Sequence, residues 1–482
     1  MKRPLFLSAI IGVLSVMAVF YCNVAIFAAI LFLLIFSFLL FKEKISMRLV
    51  IVLLFSTIIL FSLSISLLKI ERINKLSKTT VTEEFVITNE PFLSGGYYSA
   101  DAVCLSDNTL KIGDKIRLFY EKADVSVGDT VRLNLKISEI KEEKRTYFYS
   151  NGIYATASVK EFGVADSNSL LCLIPRFRKT LNNLLNASGL SYKAKAIIAA
   201  LTLGDKSGLS LEFDTYVKAS GTSHVMVVSG MHLVIIMGFF TKLIEKILYN
   251  KYLYALISLG GVLIIMAVCG FTMSIVRAGI MYIIVAAAPV FSRDSDPLNT
   301  LGTTVCLVLM VSPFAIFNIS FQLSALSTLG ILLLTDYLTF KICRILRIER
   351  KIPTKIVELV SITLAATIMT APVCIYNFGF LSTVSLITNL LITYSVTECI
   401  KFSILGMLLG LLFGSGVSSF FLYIGGIFAE YTANVITDFG SLPFAILHLN
   451  KFFTIVATIL AIALIILMQL DNRRLAKIKR EV

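Results

Sequence analysis

What this chain can fold into is constrained first by apolar runs of about 20 residues, the length an α-helix needs to cross the hydrocarbon core of a bilayer. Such runs cover residues 4–22, 23–41 and 47–69, and later 225–248, 253–270, 272–290, 299–317, 320–338, 356–376, 380–399, 402–425 and 452–470. With 57% hydrophobic and 15% charged residues and a mean hydropathy of +0.86, the chain reads as a polytopic α-helical membrane protein, and soluble classes are excluded. The net charge of +14 invites a nucleic-acid reading. Lys and Arg gather, however, in short loops at the ends of the runs, where the positive-inside rule already accounts for them.

Charge placement sets the expected topology. Lys2 and Arg3 precede the first run, and Lys42, Lys44 and Arg48 separate the second from the third. Three N-terminal transmembrane helices within residues 1–70 therefore start inside and deliver residue 71 outside. The first run is read as an uncleaved helix, because two more runs follow at once without a small-residue cleavage site. The loop Lys341–Lys355, with Arg344, Arg347, Arg350 and Lys351, is expected to be cytoplasmic, and so is the basic tail 473–482. That parity asks residues 431–450, with Pro443 and His448, to lie on the outer face or re-enter; the outer face is expected. Residues 175–224, with Arg176, Arg178, Lys179, Lys193 and Lys195, are partly apolar and read as interfacial helices attracted to anionic lipid or forming a positive approach to a mouth. Residues 225–472 form the main membrane domain.

The stretch Leu203–Ile236 stands out within this frame. It holds Leu203-Gly204-Asp205, Phe213, Ser220-Gly221-Thr222-Ser223-His224 and Ser229-Gly230-Met231-His232, with two of the three histidines. On one helix, eight residues turn through about 800°, so His224 and His232 fall within roughly 80° of each other on a common face. Polar groups entering a bilayer generally face a bundle interior or a water-filled path. Small Ser and Gly residues also let helices pack closely, so a packing role and a path-lining role both fit. Arg277, at ~2.5 to 3.5 kcal/mol on insertion scales, needs an acid, water or an interface.

These residues resemble the signature of the ComEC family, membrane proteins that pass transforming DNA into competent bacteria. Further matches follow in order: Ser274 to Arg277-Ala278, Asp296, Pro313, Ser320-Phe-Gln322-Leu-Ser324, Pro372, Phe378-Gly379 and Asn389-Leu390. The resemblance implies that Asp205, Ser223, His224, Ser229, Gly230, His232, Arg277, Gln322, Ser324 and Asn389 line a path for single-stranded DNA. Two departures accompany it. Asn389-Leu-Leu-Ile runs on to Thr393 where the family commonly has proline, and no metallo-β-lactamase-like domain is expected before Val482.

Between about residues 71 and 174 the composition changes to alternating polar and apolar residues. Thr109–Glu121, Val125–Ile140 and Ile153–Val159 alternate with period two, and Gly-Asp at 113–114 and 128–129 supplies turns, so a small all-β module is expected outside the membrane. Val127-Gly-Asp-Thr-Val-Arg-Leu is common in OB barrels, and Phe148-Tyr149 with Asn151-Gly152-Ile153 resembles the family's extracellular OB-like domain. Such barrels bind single strands through basic grooves and stacked rings. Lys111, Lys115, Arg117, Arg132, Tyr120 and Tyr149 are the candidate contacts. Acidic residues are nearly as numerous, as on a merely solvated surface. Cys104 and Cys172 sit in this module, where an oxidising compartment permits a disulfide between its ends.

No nuclease or ATPase chemistry is visible. Three scattered histidines are too few for the usual zinc hydrolase site, and a Walker-type loop is absent. The expected function is a channel, not an enzyme, importing single-stranded DNA across the bacterial cytoplasmic membrane without metal or cofactor. Membrane lipids surround it, and its partners are a DNA receptor, a separate nuclease and a cytoplasmic ATPase or DNA-binding protein. The alternatives are a transporter of another anionic polymer or solute, and a membrane-embedded metalloenzyme built on His224 and His232, with Asp205 as a third ligand.

Overall fold

The computed structural model describes residues 4–22, 47–89, 91–94, 96–121, 125, 129–164, 173–226, 228–245, 250–292, 294–347 and 351–481. The expected helix at 23–41 and the cysteine partner Cys172 lie outside the described residues. In chain order the elements are α1 (Pro4–Cys22), α2 (Met47–Lys75), β1 (Thr80–Ile87), β2 (Phe92–Ser94), β3 (Tyr97–Cys104), β4 (Lys115–Tyr120), β5 (Thr130–Ser138), α3 (Glu142–Ser150) and β6 (Ala155–Val164). Then come α4 (Leu173–Ala187), α5 (Tyr192–Thr202), α6 (Leu211–Ala219), α7 (Ser223–Met226), α8 (Gly230–Glu245), α9 (Lys251–Val268), α10 (Met273–Ala287) and α11 (Pro297–Val311). A 3-10 turn (Pro313–Phe317) leads to α12 (Ile319–Leu346), α13 (Lys351–Phe378), β7 (Phe380–Ser382), α14 (Ser385–Phe413), α15 (Ser415–Gly440), β8 (Ile446–His448) and α16 (Phe452–Glu481).

Among the described residues six helices are long and apolar enough to cross a membrane: Leu54–Lys75, Ile319–Leu346, Thr354–Phe378, Ser385–Phe413, Ser415–Gly440 and Phe452–Asp471. The chain is thus a multi-pass membrane protein with a small β region. It divides into two compact units, one of Met1–Thr180 with Leu263–Phe321, the other of Leu181–Val262 with Gln322–Val482.

In the first unit, β1, β3, β4, β6 and β5 pair in a closed ring, with β2 added beside β3. All pairings are antiparallel except β4 with β6. Alternate residues fill the interior: Phe85 from β1, Ile116 and Leu118 from β4, Leu133 and Leu135 from β5 are each at most 2% exposed. The expected strand at Thr109–Glu121 is shorter than its alternation suggests. Gly113 turns at φ +88°, which strand geometry does not allow, and β4 begins only at Lys115. In the helical part, α11 starts with Asp296 accepting from Asn299 N at 2.8 Å and Pro297 in the first turn. It packs on α1 through Gly302, where a Cβ would overlap the backbone of Phe6.

In the second unit, α14 and α15 run antiparallel across small residues. A Cβ on Gly425 would meet Ser403 Oγ at 2.5 Å, and Ser395 Oγ donates to Phe428 O at 2.8 Å. The expected break between residues 399 and 402 does not occur. Lys401 is paired with Glu398 at 2.8 Å on its own helix, so its charge does not stop α14, and the break falls at Gly414, φ +87°. Likewise α14 runs through Asn389–Thr393 without interruption, and residues 431–440 continue α15 instead of lying as a loop. Only 441–450 leave the helix, and β8 there pairs with β7 in antiparallel register, Phe380 opposite His448. At the opposite end of α13 and α16, Lys341 Nζ and the Tyr337 hydroxyl hold Asp471 at 2.9 and 3.1 Å.

Candidate functional site

The central stretch is built by a series of local caps. Ser191 Oγ accepts from Ala194 N to start α5, and Ser210 Oγ accepts from Phe213 N to start α6. Between them Gly204 turns at φ +72°, and Asp205 Oδ1 accepts from Ser207 N at 2.9 Å, which closes an Asx turn. After α6 the chain reverses at Ser220-Gly221-Thr222. The two hydroxyls lie 2.8 Å apart with both residues fully buried, and Thr222 N returns to Val217 O. Gly221 has φ +73°, and a Cβ on it would stand 2.5 Å from Ser385 Cβ and 2.8 Å from Ser382 Cβ. The turn can therefore seat against the start of α14 only because position 221 carries no side chain.

The single helix expected through His224 and His232 is not formed. The short α7 ends at Met226, and α8 starts afresh at Gly230. His224 is exposed, whereas His232 is fully buried in the first turn of α8. Ser229 N donates to His232 Nδ1 at 3.1 Å, and Ser229 Oγ lies 3.0 Å from the same nitrogen. The Ser-Gly pair thus begins α8 and orients the imidazole.

Two segments from the far end of the sequence complete the site. Gly379, φ +75°, ends α13 and releases β7. Ser382, Ser385 and Asn389 then follow at the start of α14, which also packs along α8. Ala219, Val384 and Ala445 form one buried cluster with Phe439, Leu442 and Ile446, so the turn at 220–222, the β7–β8 ladder and the end of α15 share one end of this unit. Two buried polar atoms here, Ser382 Oγ and Asn389 Oδ1, find no hydrogen-bond partner among the described residues, whereas the buried His232 ring has the Val225 backbone carbonyl beside it. Ser382 and Ser385 had been missed. Their only signal is polarity in an otherwise apolar run before Asn389.

The remaining expected residues are distributed elsewhere. Ser223 is exposed, and Gln322 and Ser324 are half-buried on α12. Arg277 belongs to the other unit, buried in α10 with Nη1 3.1 Å from Met281 Sδ. Among the described residues no three His, Cys, Asp or Glu side chains gather as a metal-ligand set.

In the β module, Arg117 and Asp101 sit directly opposite on β4 and β3, buried, with Arg117 Nε donating to Asp101 Oδ1 at 2.6 Å. Tyr120 and Tyr149 are buried too, whereas Lys111, Arg132 and Lys136 are exposed and Lys115 is half-buried. Cys104 is buried, its thiol donating to Ser106 O. The buried Glu83 accepts from Ser106 Oγ, Thr109 N and Asn108 Nδ2 and so pins the loop after β3. Burial works to raise its pKa, but these hydrogen bonds outweigh burial and hold the carboxyl below its usual value. Asp114, at the other turn, is held by Lys69 at 3.0 Å and Arg72 at 2.5 Å from the end of α2.

Residues 201–474 match the sequence model of a family described as competence protein. A similar curated protein, ComE operon protein 3 of Bacillus subtilis (strain 168), is 23% identical over 256 residues, or 53% of this chain. The matched part is 31% of that protein's own length, so the chain spans about a third of its relative. No solved structure matches the chain.

Proposed function

This chain belongs to the competence protein family, and on that premise we propose that it conducts single-stranded DNA inward across the bacterial cytoplasmic membrane, without nuclease or ATPase activity of its own. The observation that carries the reading is the set of buried polar groups on Ser220, Thr222, His232, Ser382 and Asn389 at one end of an otherwise apolar helical unit. Polar side chains in such a setting are expensive unless they serve a path or one another. Hydroxyls, amides and a neutral ring suit a polymer that must be passed from group to group, since a tight site would stall it.

The topology is proposed from the same unit. Strands β7 and β8 pair, so the end of α13 and the end of α15 share one side of the membrane. With the basic loop 341–355 inside, that side is outside, and α16 returns the C-terminal tail to the cytoplasm. No re-entrant excursion at 431–450 is needed. The β module lies outside on this reading. Its closed ring with one parallel pairing, β4 with β6, supports an OB-type barrel. Lys111, Arg132 and Lys136 remain available to a strand's phosphates, while Lys115 is paired with Asp101 at 3.4 Å and Arg117, Tyr120 and Tyr149 serve the interior. A DNA receptor, a separate nuclease and a cytoplasmic motor or DNA-binding protein complete the proposed pathway.

The test is transformation of a strain lacking this chain. Transformants should disappear and return when the chain is supplied in trans. Undiminished transformation of the deletion strain would remove DNA as the cargo and leave another anionic polymer or solute.

A further inference from the structure

We propose that residues 184–219 cross the membrane beside α15 as a broken series of short helices, whose exposed face lines a water-filled vestibule running from the β8 side to Ser191 and Glu430. The inference goes beyond the reading above and holds whatever the cargo is. The antiparallel pair α14 and α15 supplies a scale of depth, with Gly410 against Ser418, Gly406 against Leu422 and Gly425 against Ser403. On that scale Leu184 meets Gly410, Leu190 meets Gly426, and the backbone of Tyr216 meets Gly440. Ser418 and Gly440 lie about 33 Å apart along a helix, close to the thickness of a hydrocarbon core. The segment from Leu184 to Tyr216 therefore covers the depth that α15 covers, although its partly apolar composition suits an interface.

No single helix makes this crossing. α4 ends at Ala187, α5 covers only Tyr192–Thr202 and α6 only Leu211–Ala219, so the backbone leaves helical geometry at 188–191 and again at 203–210. Such breaks at membrane depth need protein or water around them. Protein supplies one side, since α5 and α6 pack against α15 with Ala194, Ile197, Leu201 and Val217 buried. The other side is charged: Lys193, Lys206, Glu212 and Lys218 are exposed. Glu430 is exposed as well, about 15 Å inward of Gly440 along α15. Its Oε1 accepts from Ser191 Oγ at 2.8 Å, and the same hydroxyl accepts from Ala194 N, so one side chain caps α5 and ties the first break to α15. A charge at the bilayer centre costs ~2.5 to 3.5 kcal/mol on insertion scales. Long lysines near the boundary can snorkel out of lipid, but the short Glu430 side chain at that depth cannot. Water along this face meets the need of the charges and of both breaks at once.

The full chain, with its native cysteines replaced, is given single cysteines at Tyr192, Lys195 and Glu430, and each is reacted in the membrane with a charged, membrane-impermeant methanethiosulfonate. His448→Cys on β8 serves as the wet reference. Leu460→Cys, within the apolar span of α16, serves as the lipid reference, where a thiol stays protonated and unreactive. Tyr192→Cys and Glu430→Cys should react from the same side as His448→Cys and within about tenfold of its rate, whereas Leu460→Cys should be at least about a hundredfold slower. Tyr192, exposed beside Ser191, is chosen because its replacement leaves the Ser191–Glu430 link in place. Cysteines at 192 and 430 as unreactive as the one at 460 overturn the proposal. So does reaction in detergent but not in the membrane, which would mean that a second copy or another chain covers this face. Reaction only from the side opposite to His448→Cys overturns it too. Should His448→Cys itself prove cytoplasmic, the vestibule stands on that side and the failure falls on the proposed topology. Loss of the transport reading in the deletion strain leaves these rates untouched.

Discussion

Asn318 Nδ2 donates to Asn151 Oδ1 at 3.2 Å, joining the segment after α3 of the β module to the residue that opens α12. The same Asn318 accepts from Phe321 N at 3.2 Å through its Oδ1, so one side chain caps the helix and ties the barrel to it. Tyr149 stands 5.6 Å from Phe314 beside this tie, and Asp114 with Lys69 and Arg72 makes a second attachment at α2. The Phe148-Tyr149…Asn151 and Pro313…Phe321 motifs thus meet as a docking contact. Asn318→Ala, losing cap and tie together, should destabilise by ~1 to 2 kcal/mol. Asn318→Asp keeps the capping oxygen and should recover part of it. Thermal unfolding of the two variants in detergent gives the order, and equal losses would assign no role to the cap.

Arg117 and Arg132 separate structure from surface within one barrel. Truncating Arg117 leaves the Asp101 carboxylate buried beside Lys115 at 3.4 Å, and removing one partner of a buried pair typically costs ~3 to 5 kcal/mol. Arg117→Ala should make the β module protease-sensitive. Arg132→Ala, on an exposed position, should leave protease resistance intact, weaken single-strand binding by the full chain and lower its salt slope by about one. Loss of strand binding without loss of protease resistance in Arg117→Ala would reverse these assignments.

Glu83 gives the β module an acid limit. Its carboxyl is held below the usual 4.5, so its contribution is fully present above that value and is lost as pH falls through the depressed folded value. The amide protection factors of residues 105–110, taken relative to intrinsic exchange, should therefore be flat from neutral pH down to about 5 and fall, relative to those of the barrel strands, at lower pH. In Glu83→Gln that acid-induced fall should vanish, with lower protection already at neutral pH.

The membrane helices were legible because lipid demands long, nearly unbroken apolar runs, and such runs survive any detail of packing. Their ends were not. Lys401 reads as a boundary until Glu398 is placed one turn away, and Gly414 marks the break only through its left-handed backbone. In the β module, alternation tells which side a residue faces but not whether that side holds a partner. Arg117 was therefore read as a surface cation although Asp101 lies opposite it inside. Strand β1 was missed because Glu83, an acid facing inward, interrupts its apolar pattern. At the candidate site the histidine motif stood out in sequence, whereas Ser382 and Ser385 became visible only through the turn at Gly221 that packs on them.

Topology can be read by single cysteines in a background where the native ones are replaced. A membrane-impermeant thiol reagent added outside should label cysteines at Asn108, in the β module, and at His448, on β8, but not at Arg347 or Lys477. Because β7 and β8 pair, a cysteine at Leu381 must behave as one at Leu447 does. Labelling of Arg347 from outside would invert the proposed orientation and place the His232 end in the cytoplasm.

Gly221 tests the site itself. Alanine there meets two separate penalties: a left-handed backbone at φ +73°, worth ~1 to 2 kcal/mol for a residue with a Cβ, and overlap with Ser385 and Ser382, typically ~1 to 3 kcal/mol more. The backbone penalty stays whatever surrounds the residue, but the overlap depends on its neighbours. Gly221→Ala should therefore reduce both accumulation in the membrane and transformation. Adding Ser385→Gly, which removes the nearer Cβ, should restore part of each without relieving the strain. Gly238→Ala is the control, since nothing lies within 4 Å of a Cβ at that position and alanine favours helix α8 by ~0.5 to 1 kcal/mol. If Gly221→Ala accumulates and transforms like Gly238→Ala, the 220–222 turn does not approach the start of α14. The unmet polar atoms on Ser382 and Asn389 would then have surroundings separate from that turn.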